Sequence, residues 1–176
     1  MSDDPVETVW QGRFIAAKRQ GKWEYVARAR NIQAAVIVAI DADDHVLLVE
    51  QYRVPLGRRC LELPAGLVGD ETEGEDVLES AGRELEEETG YRAARLVSLG
   101  MFYSSPGMVS EGFTLVRATG LTRVAEGGGT ADEDIAVHRV ALAALPAFVA
   151  AKRAEGVAID VKMLLLISGA LLDPAA

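Results

Sequence analysis

A chain of 176 residues, 49% apolar and 26% charged, makes one domain, or one domain with a small appendage, around a real core. Its formal charge of −9 excludes a nucleic-acid surface that works through phosphate contacts, and its single cysteine, Cys60, excludes an intrachain disulfide. The acidic opening "MSDDPVETVW" lacks the basic-then-apolar order of a signal peptide. The longest apolar run, "MLLLISGALL" at 163–172, is too short to span a bilayer, so a soluble, cytoplasmic protein is expected.

Residues 1–30 read as a small unit of short strands, "TVWQGRFIAAKRQ" and "KWEYVARAR", joined at Gly21-Lys22. "IQAAVIVAI" (32–40) is an unbroken apolar run, the pattern of a strand covered on both faces. A polar turn at 41–45 leads to the strand "VLLVEQYRV" (46–54) and then to "RRCLELPAG" (58–66), a shorter strand ended by Pro64 and Gly66. Helix signals begin near Glu75 and stop at Gly90, with Val77, Leu78, Ala81 and Leu85 as an apolar stripe. Strand patterns follow at 95–105, 113–121 and 135–142, broken by "PGMVSEG" and by the loop "TRVAEGGGTADED" (122–134). "LPAFVAAKRAEG" and "DVKMLLLISGALL" read as two closing helices. The expected class is α+β, a mixed sheet with helices on both sides, preceded by the small β-unit of residues 1–30.

The charge is concentrated. From Asp70 to Glu88 there are ten carboxylates and one arginine, Arg83, a local balance of −9 that equals the excess of the whole chain. In a helix Glu84, Glu87 and Glu88 stand at i, i+3 and i+4 and share one face, where like charges repel. Hard oxygen ligands at this spacing suit Mg²⁺. A solvated acidic face is the commoner meaning of such a run. Arg83, four residues after Glu79 and eight after Glu75, can pair within the helix and orient its neighbours.

The wider spacing decides between them. Gly69-x5-Glu75-x7-Arg83-Glu84-Leu85-x-Glu87-Glu88-x-Gly90-Tyr91 fits, position for position, the Nudix box G-x5-E-x7-R-E-U-x-E-E-x-G-U. The chain therefore resembles Nudix hydrolases, and the resemblance implies the Nudix α/β/α sandwich over 31–176. In many relatives the box glycine is that of a preceding "PAG", here Gly66, so two glycines compete for that place. The resemblance also implies metal-dependent hydrolysis of a nucleoside diphosphate linked to another group. Carried over by position, Glu84 and Glu88 would ligate Mg²⁺ (or Mn²⁺), Glu87 would ligate directly or through water, and the Ala65 carbonyl would add an oxygen.

Outside the box, "GRF", "WEYV", "VEQYR", "ELPAG", "SPGMVSE", "ADEDIAVH" and "AIDVK" resemble the ADP-ribose pyrophosphatase branch, as does Pro106, about sixteen residues past the box. That likeness implies cleavage of ADP-ribose to AMP and ribose 5-phosphate, with another nucleotide sugar such as GDP-mannose, or a non-catalytic nucleotide-sugar sensor, as alternatives. It implies a phosphate contact for Arg53 and an active-site place for Glu111. Glu133, beside Asp132 and Asp134, would be a metal ligand or the general base, on a loop that Gly127-Gly128-Gly129 frees to close. Relatives of this branch are homodimers that exchange N-terminal strands, and a homodimer is expected here. Trp10, Phe14, Trp23 and Tyr25 could stack on adenine, although aromatics in paired strands more often pack. His45, His138 and Cys60 read as structural, the cysteine as a small buried hydrophobe.

Overall fold

A computed structural model describes residues 4–30, 32–69, 74–130 and 133–167. Asp70, Glu71, Glu73 and Asp132 of the acidic segments, and the apolar run beyond 167, lie outside the described residues.

The chain starts as an antiparallel meander, β1 (Glu7–Gln11), β2 (Ile15–Gln20) and β3 (Trp23–Arg28). The turn between β2 and β3 is Gly21-Lys22, as the sequence predicts, with Gly21 at φ +57°. The first predicted stretch is itself two strands. Trp10 folds its indole across Gly12, where a side chain would collide with the ring, and Gly12 N–H bonds Ile15 O at 2.9 Å. This sheet meets the body through β3. Val26 N–H donates to Met108 O and Ser110 N–H donates to Val26 O, both at 2.9 Å.

The body is an α+β sandwich whose strands form two four-stranded mixed sheets rather than the single sheet expected. In one, β4 (Gln33–Ala39) lies between β7 (Ala65–Val68) and β9 (Gly112–Arg123), and β8 (Tyr91–Tyr103) closes the edge. In the other, β5 (His45–Arg53) pairs with β6 (Arg58–Glu62) and β10 (Ala136–Ala141), and the short β11 (Ala158–Ile159) extends β6 in parallel. β4 runs parallel to β9, from Ala34 opposite Phe113 to Ala39 opposite Ala118.

The unbroken apolar run is explained by burial on both faces. Ala35, Ile37 and Ala39 join Val116, Ala118 and Leu47 beneath Ala81 and Leu85 of α1 (Val77–Thr89). Val36 and Val38 point the other way, into a core with Leu48, Leu61, Leu115, Val140 and Leu145 of α2 (Leu145–Ala154). Successive side chains on a strand face opposite sides, so one apolar run serves both cores.

Two predicted elements differ. "RRCLELPAG" is not one strand. β6 ends at Glu62, and after Leu63-Pro64 the chain opens β7 in the other sheet, with Pro64 O accepting Ile37 N–H at 2.8 Å. Proline has no N–H to give a ladder, so the pairing changes partner there. The final apolar segment is a 3-10 helix over Val161–Ile167, not an α-helix, as far as the described residues extend. No helix among the described residues is long and apolar enough to cross a membrane.

Candidate active site

Helix α1 carries the acidic cluster, and its limits are chemically marked. Asp76 is the N-cap, its Oδ1 accepting Leu78 N–H at 2.8 Å and Glu79 N–H at 3.4 Å. Gly90 ends the helix at φ +76°, the left-handed C-cap that the sequence predicts. Leu85, fully buried, points down to the sheet and thereby fixes which glutamates flank the β7 side.

Glu88 is buried, only 5% exposed, and its Oε2 accepts the N–H of Ala65 at 3.0 Å. Burial pushes its carboxyl up to about 8, and the negative charges of Glu84 and Glu133 push the same way, against the Ala65 hydrogen bond and the charge of Arg53. Ala65 thus meets the cluster through its N–H. Glu84 lies flat on Gly66, where a Cβ would come within 2.1 Å of the Glu84 Cγ and Cδ. Glu87 is the more open member, with 41% of its side chain exposed. Arg83 stands among these acids, Nη1 at 3.1 Å from Glu84 and 3.3 Å from Glu87, Nε at 3.4 Å from Glu75.

The two candidate box glycines have different tasks. Gly66 makes room for Glu84, while Gly69, at φ +82°, turns the chain out of β7 and directs its N–H to Glu75 at 3.5 Å.

Beside β7 lies a cavity of about 480 Å³ whose lining includes Arg28, Arg53, Ala65, Gly66, Glu111 and Lys162. Arg53 reaches it in the grip of Glu62, with Nε to Oε1 at 2.6 Å and Nη2 to Oε2 at 2.9 Å. Such a fork fixes the guanidinium plane. Glu111 pairs with Arg28 Nε at 2.5 Å. A second recess of about 300 Å³ shares Arg28 and Glu111 and adds Lys18, Arg30 and Tyr103.

The glycine-rich loop departs from expectation. Gly127-Gly128-Gly129 is not a free hinge. Gly128 N–H bonds Glu88 O at 2.8 Å and Gly129 N–H bonds Glu87 O at 3.0 Å, so the triplet is fastened to the last turn of α1. All three take positive φ, and at Gly127 a Cβ would lie 2.4 Å from the Thr89 carbonyl carbon. Glu133 folds back over Gly129, and its Oε2 accepts Thr130 N–H at 2.9 Å and Thr130 Oγ1–H at 3.1 Å.

Four lining or holding residues carried no role in the sequence reading: Arg28, Glu62, Asp160 and Lys162. Lys162 Nζ bonds Asp160 at 2.5 Å and lies 5.9 Å from the Phe113 ring centroid. Glu62 was legible as the first residue of "ELPAG" and in the alternation of "CLEL", which puts a carboxylate on the same face as Cys60. Cys60 itself is buried, and burial, with the charges of Glu62 and Asp160, pushes its thiol up to about 12, which suits an inert hydrophobe. His45 bonds the Asp43 carbonyl at 2.8 Å, and His138 Nε2 lies 3.0 Å from Glu50, so both are committed to structure. Trp10, Phe14 and Trp23 are exposed on the meander and line neither recess.

Among the described residues no three His, Cys, Asp or Glu side chains already stand at metal-binding distances. The donor chemistry nonetheless fits a hard divalent cation. A buried carboxylate raised by two neighbouring carboxylates is a site that gains from a positive charge. Glu84, Glu87 and Glu88 would hold it.

The NUDIX domain family profile matches residues 30–158. The chain is similar to a methanol dehydrogenase activator of Bacillus methanolicus, 39% identical over 64% of this chain and 59% of that protein. It is similar to an ADP-ribose pyrophosphatase of Bacillus subtilis, 41% identical over 44% of this chain and 40% of that one. A crystal structure of an ADP compounds hydrolase superposes with a TM-score of 0.69 at 28% identity, covering 93% of this chain and 89% of that one. The chain spans about half the length of the curated relatives it matches.

Two outcomes follow from the geometry. A carboxyl titrating near 8 in the fold and at the ordinary 4.5 when unfolded keeps a proton that the unfolded chain has lost. The metal-free fold must therefore lose stability as pH rises from about 4.5 to about 8. Glu88→Gln should flatten that decline, melting above wild type at pH 8 in chelator and near it at pH 5. Parallel melting curves against pH would reject the buried charge. Gly66→Ala should displace the flexible Glu84 side chain rather than the backbone, lowering turnover roughly 10–100-fold while the melting temperature shifts little. Full activity in that variant would show that Glu84 need not lie on Gly66.

Proposed function

The chain belongs to the NUDIX domain family, and from that membership we propose that it cleaves the pyrophosphate of ADP-ribose to AMP and ribose 5-phosphate, with Mg²⁺ bound and Mn²⁺ as a substitute. One observation carries the reading. Glu88, buried and repelled by Glu84 and Glu133, backs onto the Ala65–Gly66 wall of a cavity lined by Arg28, Arg53 and Lys162. A diphosphate needs cations on one side and a cation-binding carboxylate set on the other. The names of the Bacillus subtilis relative and of the superposed hydrolase support the same substrate class.

Glu84, Glu87 and Glu88 would hold the metal, which would supply charge to neutralise the diphosphate and acidify water. The protein's own groups do the rest. Arg53, its plane fixed by Glu62, binds a phosphate oxygen, and Arg28, which lines the same cavity, binds another. Arg83 holds Glu84 and Glu87 in place on one face of α1. Glu133 takes the proton from the attacking water, and Glu111 keeps Arg28 oriented beside the substrate.

Residues 1–30 act in this reading as an exchanged unit of a homodimer, with 31–176 as the catalytic domain. Val9, Trp10, Phe14, Ile15 and Trp23 are all exposed on this one small sheet, more apolar surface than a lone meander keeps in water. The lone buried thiol suits a reducing cytoplasm.

Incubating the protein with Mg²⁺ and ADP-ribose should release AMP, and Glu87→Gln should cut kcat roughly 10–100-fold with the fold intact. Equal rates would reject the metal assignment. No AMP from any nucleotide sugar in a panel including GDP-mannose would leave a binding module, and faster cleavage of another member would change the substrate. In light scattering the protein should run as a dimer that Trp10→Glu dissociates. A fully active wild-type monomer would overturn the exchanged unit.

A further inference from the structure

The segment that carries Glu133 is fastened at both ends. On the β9 side, the N–H groups of Val124 and Ala125 donate to Gly90 O at 2.8 and 3.1 Å, and Gly128 and Gly129 bond the Glu88 and Glu87 carbonyls. Those carbonyls belong to the last turn of α1, where helical partners run out. On the β10 side the fastening is a side chain from another strand. Arg59 of β6 sends Nη1 to Asp134 Oδ2 at 2.7 Å and Nη2 to Asp134 O at 3.0 Å.

Arg59 can act as a fixed post because it is itself held. Its Nε donates to Glu50 Oε1 at 2.9 Å and its Nη2 to Glu50 O at 2.7 Å. Glu50 is 6% exposed, and its other oxygen meets His138 Nε2 at 3.0 Å and Lys152 Nζ at 2.9 Å. Ile135, the next residue after Asp134, is buried and packs against Gly129, which brings the two fastenings together around Glu133.

We propose that Arg59, fixed by Glu50, is a positioning residue for the hydrolytic reaction. By gripping the Asp134 carbonyl and carboxylate it sets where the neighbouring Glu133 stands relative to Glu87 and Glu88. The inference rests on the reading above that Glu133 acts on the attacking water. The Arg59–Asp134 ion pair is exposed at Asp134 and adds little stability. Its value is geometric, because displacement of a reacting group by about 1 Å costs up to about 100-fold in rate.

The test uses the full chain with Mg²⁺ and ADP-ribose. Arg59→Lys keeps a cation beside Glu50, so the fold survives, but an ammonium cannot span Glu50 and Asp134 as the guanidinium fork does. Its kcat should fall roughly 10-fold or more with KM within about twofold and an unchanged melting temperature. In a Glu133→Gln background, itself about 100-fold slow or worse, adding Arg59→Lys should cost almost nothing further. Wild-type kcat in Arg59→Lys, or a loss that multiplies in full with that of Glu133→Gln, overturns the positioning role while leaving Glu133 in place. Wild-type kcat in Glu133→Gln removes the role of Glu133 itself, and the inference with it.

Discussion

The hydrogen bond from the Ala65 N–H to the buried carboxylate of Glu88 is the contact around which the site is arranged. It ties the last turn of α1 to the first residue of β7, and it does so with an acid whose ionised form the fold has taken out of water. Such a carboxylate costs several kcal/mol unless something compensates it. One N–H and a more distant Arg53 compensate only in part, since its pKa stays well above the usual carboxylate range. The residual demand for positive charge is a property of the folded chain.

Everything else places atoms with respect to that contact. The break at Leu63-Pro64 lets one continuous segment serve two sheets, with Glu62 holding Arg53 in one and Ala65 and Gly66 facing α1 in the other. Arg53 and the carboxylates of α1 therefore both depend on five consecutive residues, and neither can drift without the other. A cluster built on loops would have no such constraint. The glycine triplet adds a second coupling, because it bonds the carbonyls of Glu87 and Glu88, the residues whose side chains form the cluster.

What the sequence made legible was local. The helix with its Asp76 start and Gly90 stop, the doubly buried run of β4, and the spacing of Glu84, Glu87 and Glu88 follow from periods of 3.6 and 2 and from glycine's tolerance of positive φ. The split of "RRCLELPAG" was hidden because alternation reads the same whether or not the pairing partner changes at Pro64. Glu62, Arg28, Asp160 and Lys162 were hidden for a related reason. Each is an ordinary charged residue in its own strand or turn, and acquires a role only when segments far apart in sequence line one cavity. "GGG" suggested freedom by composition alone, whereas the fold uses those residues for close backbone approach to α1.

The charge distribution now has a physical sense. A chain with net charge −9 repels an anionic ligand at long range, which slows encounter and weakens binding unless cations intervene. Within the cavity the signs are paired, Arg28 with Glu111, Arg53 with Glu62 and Lys162 with Asp160. Ala65 and Gly66 line the same cavity, and Glu88 and Glu84 of α1 meet those two residues. Gly66 has no side chain, and that is what lets Glu84 lie against it. On the proposed reading, an anion in that cavity lies close to carboxylates that hold a cation, so binding of the two ions is mutually favourable. On that reading the linkage lets an acidic protein select a diphosphate together with its metal, in preference to either alone.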